Sequence, residues 1–327
     1  MSQNAPAGEK RPFLSTVPGL LMACTTSCLL WGSAFPCVKI GYRLFGIPAT
    51  DTATILLFAG LRFFLAGAMV LVAVSLVRRR PLVPRRRDLG PIATLALFQT
   101  ILQYVFFYLG LSRASGVTSS IIEAANVFLC VLVAALLFRS ERLTARKLVG
   151  CAVGFAGVVL VNLGGDDGGL GFSMAGEGLV LLSTVSAAFS ICFNQRFSAD
   201  HDPVLLSGWQ FALGGAVLAA MGLAMGGHLA PADAADPLPA FALLAYLGLV
   251  SALGYTLWSL ALAHNPVSRV SVFGFMNPVF GVLLSALLLG ETNVVSPALA
   301  VAALVLVSVG IVVVNRQPSA SEAPARP

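Results

Sequence analysis

Apolar stretches of about 20 residues recur from Val17 to Val314, each long enough to cross about 30 Å of hydrocarbon as a helix. That pattern predicts an all-α integral membrane protein. Composition agrees, since 57% of the 327 residues are hydrophobic and 10% are charged, against about 25% charge in a soluble domain. A soluble enzyme, a disulfide scaffold and a nucleic-acid partner are excluded, despite the net charge of +6. All six cysteines (Cys24, Cys28, Cys37, Cys130, Cys151 and Cys192) lie in apolar runs and read as small buried hydrophobes. Lys10 and Arg11 precede an apolar stretch with no Ala-x-Ala site, so that stretch reads as an uncleaved first span.

Hydropathy and breaker residues predict about ten helices, near 17–40, 52–77, 89–111, 115–138, 146–163, 176–197, 203–226, 239–263, 267–289 and 296–315. The Gly/Pro/Asp-rich segments Gly164 to Gly178 and Gly226 to Pro239 read as loops. With the N-terminus inside, the inner segments hold sixteen Lys and Arg, and the outer ones only Lys39, Arg43 and Arg113. Both termini are therefore expected in the cytoplasm of a multi-pass inner-membrane protein. The inner loop from Arg78 to Arg87 carries six arginines, placed to orient the chain and to touch anionic lipid of the bilayer.

The sequence also repeats itself. Gly60 to Leu71 aligns with Gly208 to Ala219, Leu136 to Glu141 with Ala286 to Glu291, and Gly157 to Asn162 with Gly310 to Asn315. The offset stays near 150, so each half is one unit of about five spans, and an odd number inserts the second copy upside down. The expected organisation is a cytoplasmic tail at 1–16, a first five-helix repeat at 17–163, an outer loop at 164–175, a second five-helix repeat at 176–315 and a cytoplasmic tail at 316–327. The fold class is thus ten transmembrane helices as a 5+5 inverted repeat.

The segments WGSAFPCVKIG (Trp31 to Gly41), LRFFLAG (Leu61 to Gly67), SERLTARKLVG (Ser140 to Gly150) and LLLGE (Leu287 to Glu291) resemble those of the EamA-type drug/metabolite transporters. The resemblance covers both halves, about residues 20–315. It implies a central cavity lined by spans 1, 3, 4, 6, 8 and 9, and alternating access, commonly for export of amino acids or other small metabolites. The Ser-Pro that often breaks spans four and nine in that family is Asn126-Val127 and Asn277-Pro278 here. Glu123 is a further departure from most relatives.

Glu123 and Arg62 are the two ionisable residues well inside predicted spans, where an unpaired charge costs roughly 2.5 kcal/mol or more. Counted from the outer face, Glu123 lies about 12 Å deep and Arg62 about 14 Å. Two readings stay open: a buried Arg62–Glu123 ion pair that fixes packing, or Glu123 on the cavity wall, holding a proton or a cationic substrate in alternation. Gln99 and Gln103 at i,i+4, Tyr104, Asn126 three residues after Glu123, the stripe Ser251, Tyr255 and Trp258, and Asn277 and Trp31 outline the rest of a substrate-binding wall. Amides and aromatics suit zwitterionic or amine ligands, although each such residue could equally hold neighbouring helices together. Pro36 and Asn277-Pro278 can free backbone carbonyls. Gly150, Gly154 and Gly157 form a small-residue face for packing within the chain, with a homodimer contact as the alternative.

His201, His228 and His264 all fall in predicted loops, no span carries an Asp, and no GxxxxGK[ST] loop or metal-ligand spacing occurs. An enzyme, a metal site and a cofactor are accordingly not expected. The sequence predicts a gradient-driven exporter of a small-molecule substrate. An importer of the same class, or a scaffold or sensor without transport, is the alternative.

Overall fold

A computed structural model describes residues 12–48, 50–111, 122–123, 125–162, 174–289 and 297–315. Among these every regular element is helical. The terminal tails, the loop around Asp166–Asp167, Arg113, Glu291 and the first residues of the predicted fourth span lie outside the described residues. Six helices are long and apolar enough to cross a bilayer. The apolar segments Asn126–Leu137 and Val305–Asn315 are shorter. The chain is a multi-pass membrane protein.

Helix α1 (Val17–Leu44) starts where Thr16 accepts a hydrogen bond from the Gly19 amide. It runs past Pro36 to Leu44, four residues beyond the predicted end, because one lost hydrogen bond does not stop a helix packed on its neighbours. Helix α2 (Thr52–Arg78) is capped by Asp51, and α3 (Arg86–Leu95) leads through the π-helical turns Ala96–Leu102 into α4 (Gln103–Leu111). Helix α5 (Asn126–Leu132) likewise widens into the π segment Val133–Leu137. Then follow α6 (Ala145–Asn162), α7 (Glu177–Phe197), α8 (Pro203–Ala224) and α9 (Leu238–His264). The predicted ninth span is broken into α10 (Val267–Ser271), a 3-10 turn at Val272–Phe275 and α11 (Met276–Leu289). Pro278 offers no N–H to the Gly274 carbonyl, which accounts for the break where it lies. Helix α12 (Pro297–Asn315) closes the fold.

Segments that align in the sequence repeat pack on one another: α2 on α8, and α6 on α12. Glycines set both distances. A Cβ on Gly60 would overlap the backbone of Ala219, one on Gly215 would overlap that of Phe64, and one on Gly222 would sit 2.6 Å from the Leu57 nitrogen. Backbones this close are the gain of small residues in lipid. At the second crossing a Cβ on Gly310 would lie 2.6 Å from the Gly150 carbonyl oxygen and one on Gly150 2.5 Å from Val314. The small-residue face of the fifth span is thereby used inside the chain. Helix α1 lies between α9 and α11, which brings the stripes of the first and eighth spans together, and α4 lies on α7.

Candidate functional site

The centre of the bundle is a cluster of aromatic rings around one buried arginine. Phe63 of α2 and Phe211 of α8 stack with centroids 5.5 Å apart and planes at 10°. Tyr104 packs on Phe63 at 4.4 Å, and Tyr255 on Phe211 at 4.8 Å. The two tyrosine hydroxyls meet at 2.9 Å. Trp31 continues the wall, 4.7 Å from Tyr255 and 5.1 Å from Trp258. Thus Trp31, Tyr104, Tyr255 and Trp258, on three different helices, form one aromatic surface.

Arg62 is buried beneath it. Its Nε donates to Ser251 Oγ at 3.1 Å, and its guanidinium carbon lies 5.0 Å from the Phe63 ring centroid. One face of the cation is thus held by a hydroxyl and a ring. Tyr104 lies on the same Phe63 ring that Arg62 approaches. Glu123 is half-buried. Among the described ion pairs none joins Arg62 to Glu123.

The other predicted wall residues spread more widely. Asn126 Oδ1 accepts from Cys130 Sγ at 3.4 Å, a contact along its own helix. Gln99 is buried and Gln103 half-buried, and Gln99 lies in the π turns Ala96–Leu102 that lead into Gln103. Trp31 Nε1 and Asn277 Oδ1 are buried without a hydrogen-bond partner among the described residues. Thr256 Oγ1, Asn265 Oδ1 and Ser271 Oγ are left in the same state. Tyr42 and Tyr108 join this cluster although they are not among the expected wall residues; Tyr108 stands four residues after Tyr104, a spacing that could have found it.

Two concavities are found elsewhere. One of about 630 Å³ lies beside the arginine loop, and one of about 350 Å³ lies between Ser140–Glu141 and His264–Pro266. Neither is lined by the aromatic cluster. At the second, Glu141 accepts from the Ser268 amide at 2.9 Å and from the Ser268 hydroxyl, and also pairs with Lys147. Arg78 with Asp202, and His201 with Asp88 at 2.6 Å, tie the same end of the bundle.

A sequence profile described as the EamA-like transporter family matches residues 17–163 and 174–316. An uncharacterized transporter of Archaeoglobus fulgidus is 29% identical over 303 residues, 91% of this chain and 99% of that one. A protein of Salmonella typhimurium, described as a probable amino-acid metabolite efflux pump, is 29% identical over 271 residues, 81% of this chain and 85% of its own. A crystal structure of a protein 20% identical in sequence superposes with a TM-score of 0.71, covering 92% of this chain and 97% of the other.

Proposed function

The chain belongs to the EamA-like transporter family, and from that premise we propose that it is a secondary active transporter that exports small zwitterionic or amine metabolites, amino acids foremost, across the inner membrane. The observation that carries this is the aromatic surface of Trp31, Tyr104, Tyr255 and Trp258 with Arg62 buried beneath it and bonded to Ser251. An arginine can bind a carboxylate, and an acid can bind an ammonium. The aromatic surface beside Arg62 takes an apolar side chain or a cation. The unpartnered Trp31 N–H and Asn277 carbonyl supply two further hydrogen bonds. The Salmonella relative's description as an amino-acid efflux pump points the same way.

Alternating access through a 5+5 inverted repeat is the mechanism proposed. Its support is a set of contacts made by matching positions of the two halves. Gly60 meets Gly215 and Gly67 meets Gly208, where the repeat aligns Gly60 with Gly208 and Gly67 with Gly215. Phe63 stacks on its counterpart Phe211. Arg62 bonds Ser251, while Gln210, the counterpart of Arg62, accepts from Thr100 at 2.8 Å. Two halves joined this way can exchange conformations by rocking about one axis. The closed contacts around Glu141, Asp202 and Asp88 then form the cytoplasmic seal, with both termini on that side.

The test is thermal unfolding of the detergent-purified protein against amino acids, polyamines, quaternary amines and organic anions, followed by counterflow in proteoliposomes. A ligand at 100 times its dissociation constant adds about 2.7 kcal/mol to the folded state. Stabilisation and counterflow by amino acids or amines are expected. Stabilisation by organic anions alone would overturn the substrate class.

A further inference from the structure

We propose that the groove beside the arginine loop is a binding site for one anionic diacyl phospholipid, with its acyl chains along the groove and its phosphate on Arg79 and Arg80. The groove, about 630 Å³, is lined by Leu71, Leu76, Val83 and Trp209, with Arg79 and Arg80 at its rim. Leu76 and Val83 are 73% and 63% exposed, an apolar face that only hydrocarbon would solvate well. It is a built surface. Trp209 Nε1 donates to the Leu82 carbonyl at 2.7 Å, and the Leu82 amide donates to Ser75 Oγ at 3.0 Å, which folds the loop back over the last turn of α2.

The arginines at the rim are available for a ligand. The nearby carboxylates are taken, Asp202 by Arg78 and Asp88 by His201, and among the described residues no ion pair reaches Arg79 or Arg80. Arg79 also sits at φ 51°, the left-handed region that favours glycine. It closes α2 by donating to Leu76, while Arg80 donates to Ser75. The end of α8 makes the same turn with Gly226 donating to Leu223 and Gly227 to Gly222, at φ 88°. Glycine satisfies this turn in one half of the molecule, so an arginine in the other half is not required by backbone geometry. Its side chain is what the position gains.

An occupant must match cationic groups at the end of a spanning helix and an apolar channel running back along that helix. A soluble phosphate or nucleotide lacks the chain, and a zwitterionic lipid lacks the net charge. An anionic phospholipid of the cytoplasmic leaflet has both, and the orientation argued from the inner arginines puts the groove in that leaflet.

The full-length protein is reconstituted in phosphatidylcholine vesicles containing increasing brominated phosphatidylglycerol or brominated phosphatidylcholine, with Trp209 emission isolated by subtracting Trp209→Phe. Brominated lipid in both leaflets makes the result independent of insertion direction. Brominated phosphatidylglycerol should quench Trp209 at the lower mole fraction, with a preference of roughly fivefold per arginine. Arg79→Gln with Arg80→Gln should bring the two lipids level, whereas Arg142→Gln, on another loop, should not. Arg79→Gly separates binding from folding: it relieves the left-handed residue and should unfold at higher temperature, yet lose part of the lipid preference. Equal quenching by both lipids in the unmodified protein, preference retained in the double variant, or displacement by millimolar glycerol 3-phosphate would each overturn the site.

Discussion

Tyr104 and Tyr255 share a hydroxyl–hydroxyl hydrogen bond of 2.9 Å across 151 positions of sequence. Each stands on a phenylalanine that is also paired with its own counterpart, Phe63 with Phe211. In the proposed inverted repeat a contact between matching positions lies on the axis relating the halves, so neither partner belongs to one side of the membrane more than the other. The two phenylalanine variants should therefore behave alike. Tyr104→Phe and Tyr255→Phe are each expected to lower stability by about 1 kcal/mol, and the double variant by little more than either, since both remove one bond. Thermal unfolding of the three proteins measures this. Additive losses would mean that the hydroxyls act separately.

Arg62 and Glu123 should fail in opposite ways. Arg62→Gln is expected to abolish thermal stabilisation by ligands that carry a carboxylate and to leave that by simple amines. Glu123→Gln should do the reverse. Either loss should be tenfold or more in apparent affinity, the scale of a charge-assisted hydrogen bond of about 1.5–3 kcal/mol. If both variants merely unfold at lower temperature and ligand shifts are retained, the two charges hold helices rather than substrate.

The all-helical, membrane-spanning character was legible in the sequence because it follows from two one-dimensional signals, the length of apolar runs and the placement of Gly and Pro. The first residues of α2, α8 and α10 stand where Asp51, Asp202 and Pro266 place them. The site was legible only in part. Trp31, Tyr104, Tyr255 and Trp258 do meet, because polar and aromatic stripes on adjoining helices face inward together. The π turns at Ala96–Leu102 and Val133–Leu137 were not legible, since no breaker residue marks them and they depend on how neighbouring helices pack. The bond from Arg62 to Ser251 was hidden for the same reason: 189 positions separate the partners.

The glycines at the α2–α8 crossing give a stability prediction with its own control. Gly60→Ala or Gly215→Ala places a methyl inside the opposing backbone, and each should destabilise by about 1–3 kcal/mol as the helices are pushed apart. At Gly90, on the exposed side of α3, an added Cβ meets nothing within 4 Å. Gly90→Ala should thus change stability by less than about 0.5 kcal/mol, since helix propensity is offset by the crowding of a Cβ before Pro91. Chemical unfolding in mild detergent should leave Gly90→Ala level with the unmodified protein and rank the other two below it.

Asp51 makes one end of the molecule sensitive to acid. The Thr54 hydroxyl and the Thr54 amide, at 3.0 Å, hold its carboxyl below the ordinary carboxylate range. A lowered value in the folded state means that the ionised cap contributes stability above the unfolded value near 3.9, and loses it as pH falls through the folded one. Asp51→Ala should therefore cost about 0.5–2 kcal/mol at pH 7, and progressively less below about pH 4. The difference in unfolding temperature between the two proteins, followed from pH 7 down to pH 3, tests the sign. A gap that widens in acid would contradict it.

Glu141 joins the loop before α6 to the start of α10 through both the amide and the hydroxyl of Ser268, and Lys147 neutralises its charge. In the proposed mechanism these bonds break when the cytoplasmic end opens, so weakening them should favour the inward-open state. Cys192, buried with its thiol 3.9 Å from the Cys130 carbonyl oxygen, is the natural reporter. In a protein with Cys192 as its sole cysteine, Glu141→Ala should raise the rate of maleimide labelling from the cytoplasmic side several-fold. Each lost charge-assisted bond shifts the balance of open and closed by about 1.5–3 kcal/mol, more than a tenfold change in population. Ser268→Ala keeps the amide bond and should raise labelling less. A substrate that binds the closed state should slow labelling in both variants, whereas unchanged labelling would place the seal at Asp88–His201 and Arg78–Asp202 instead.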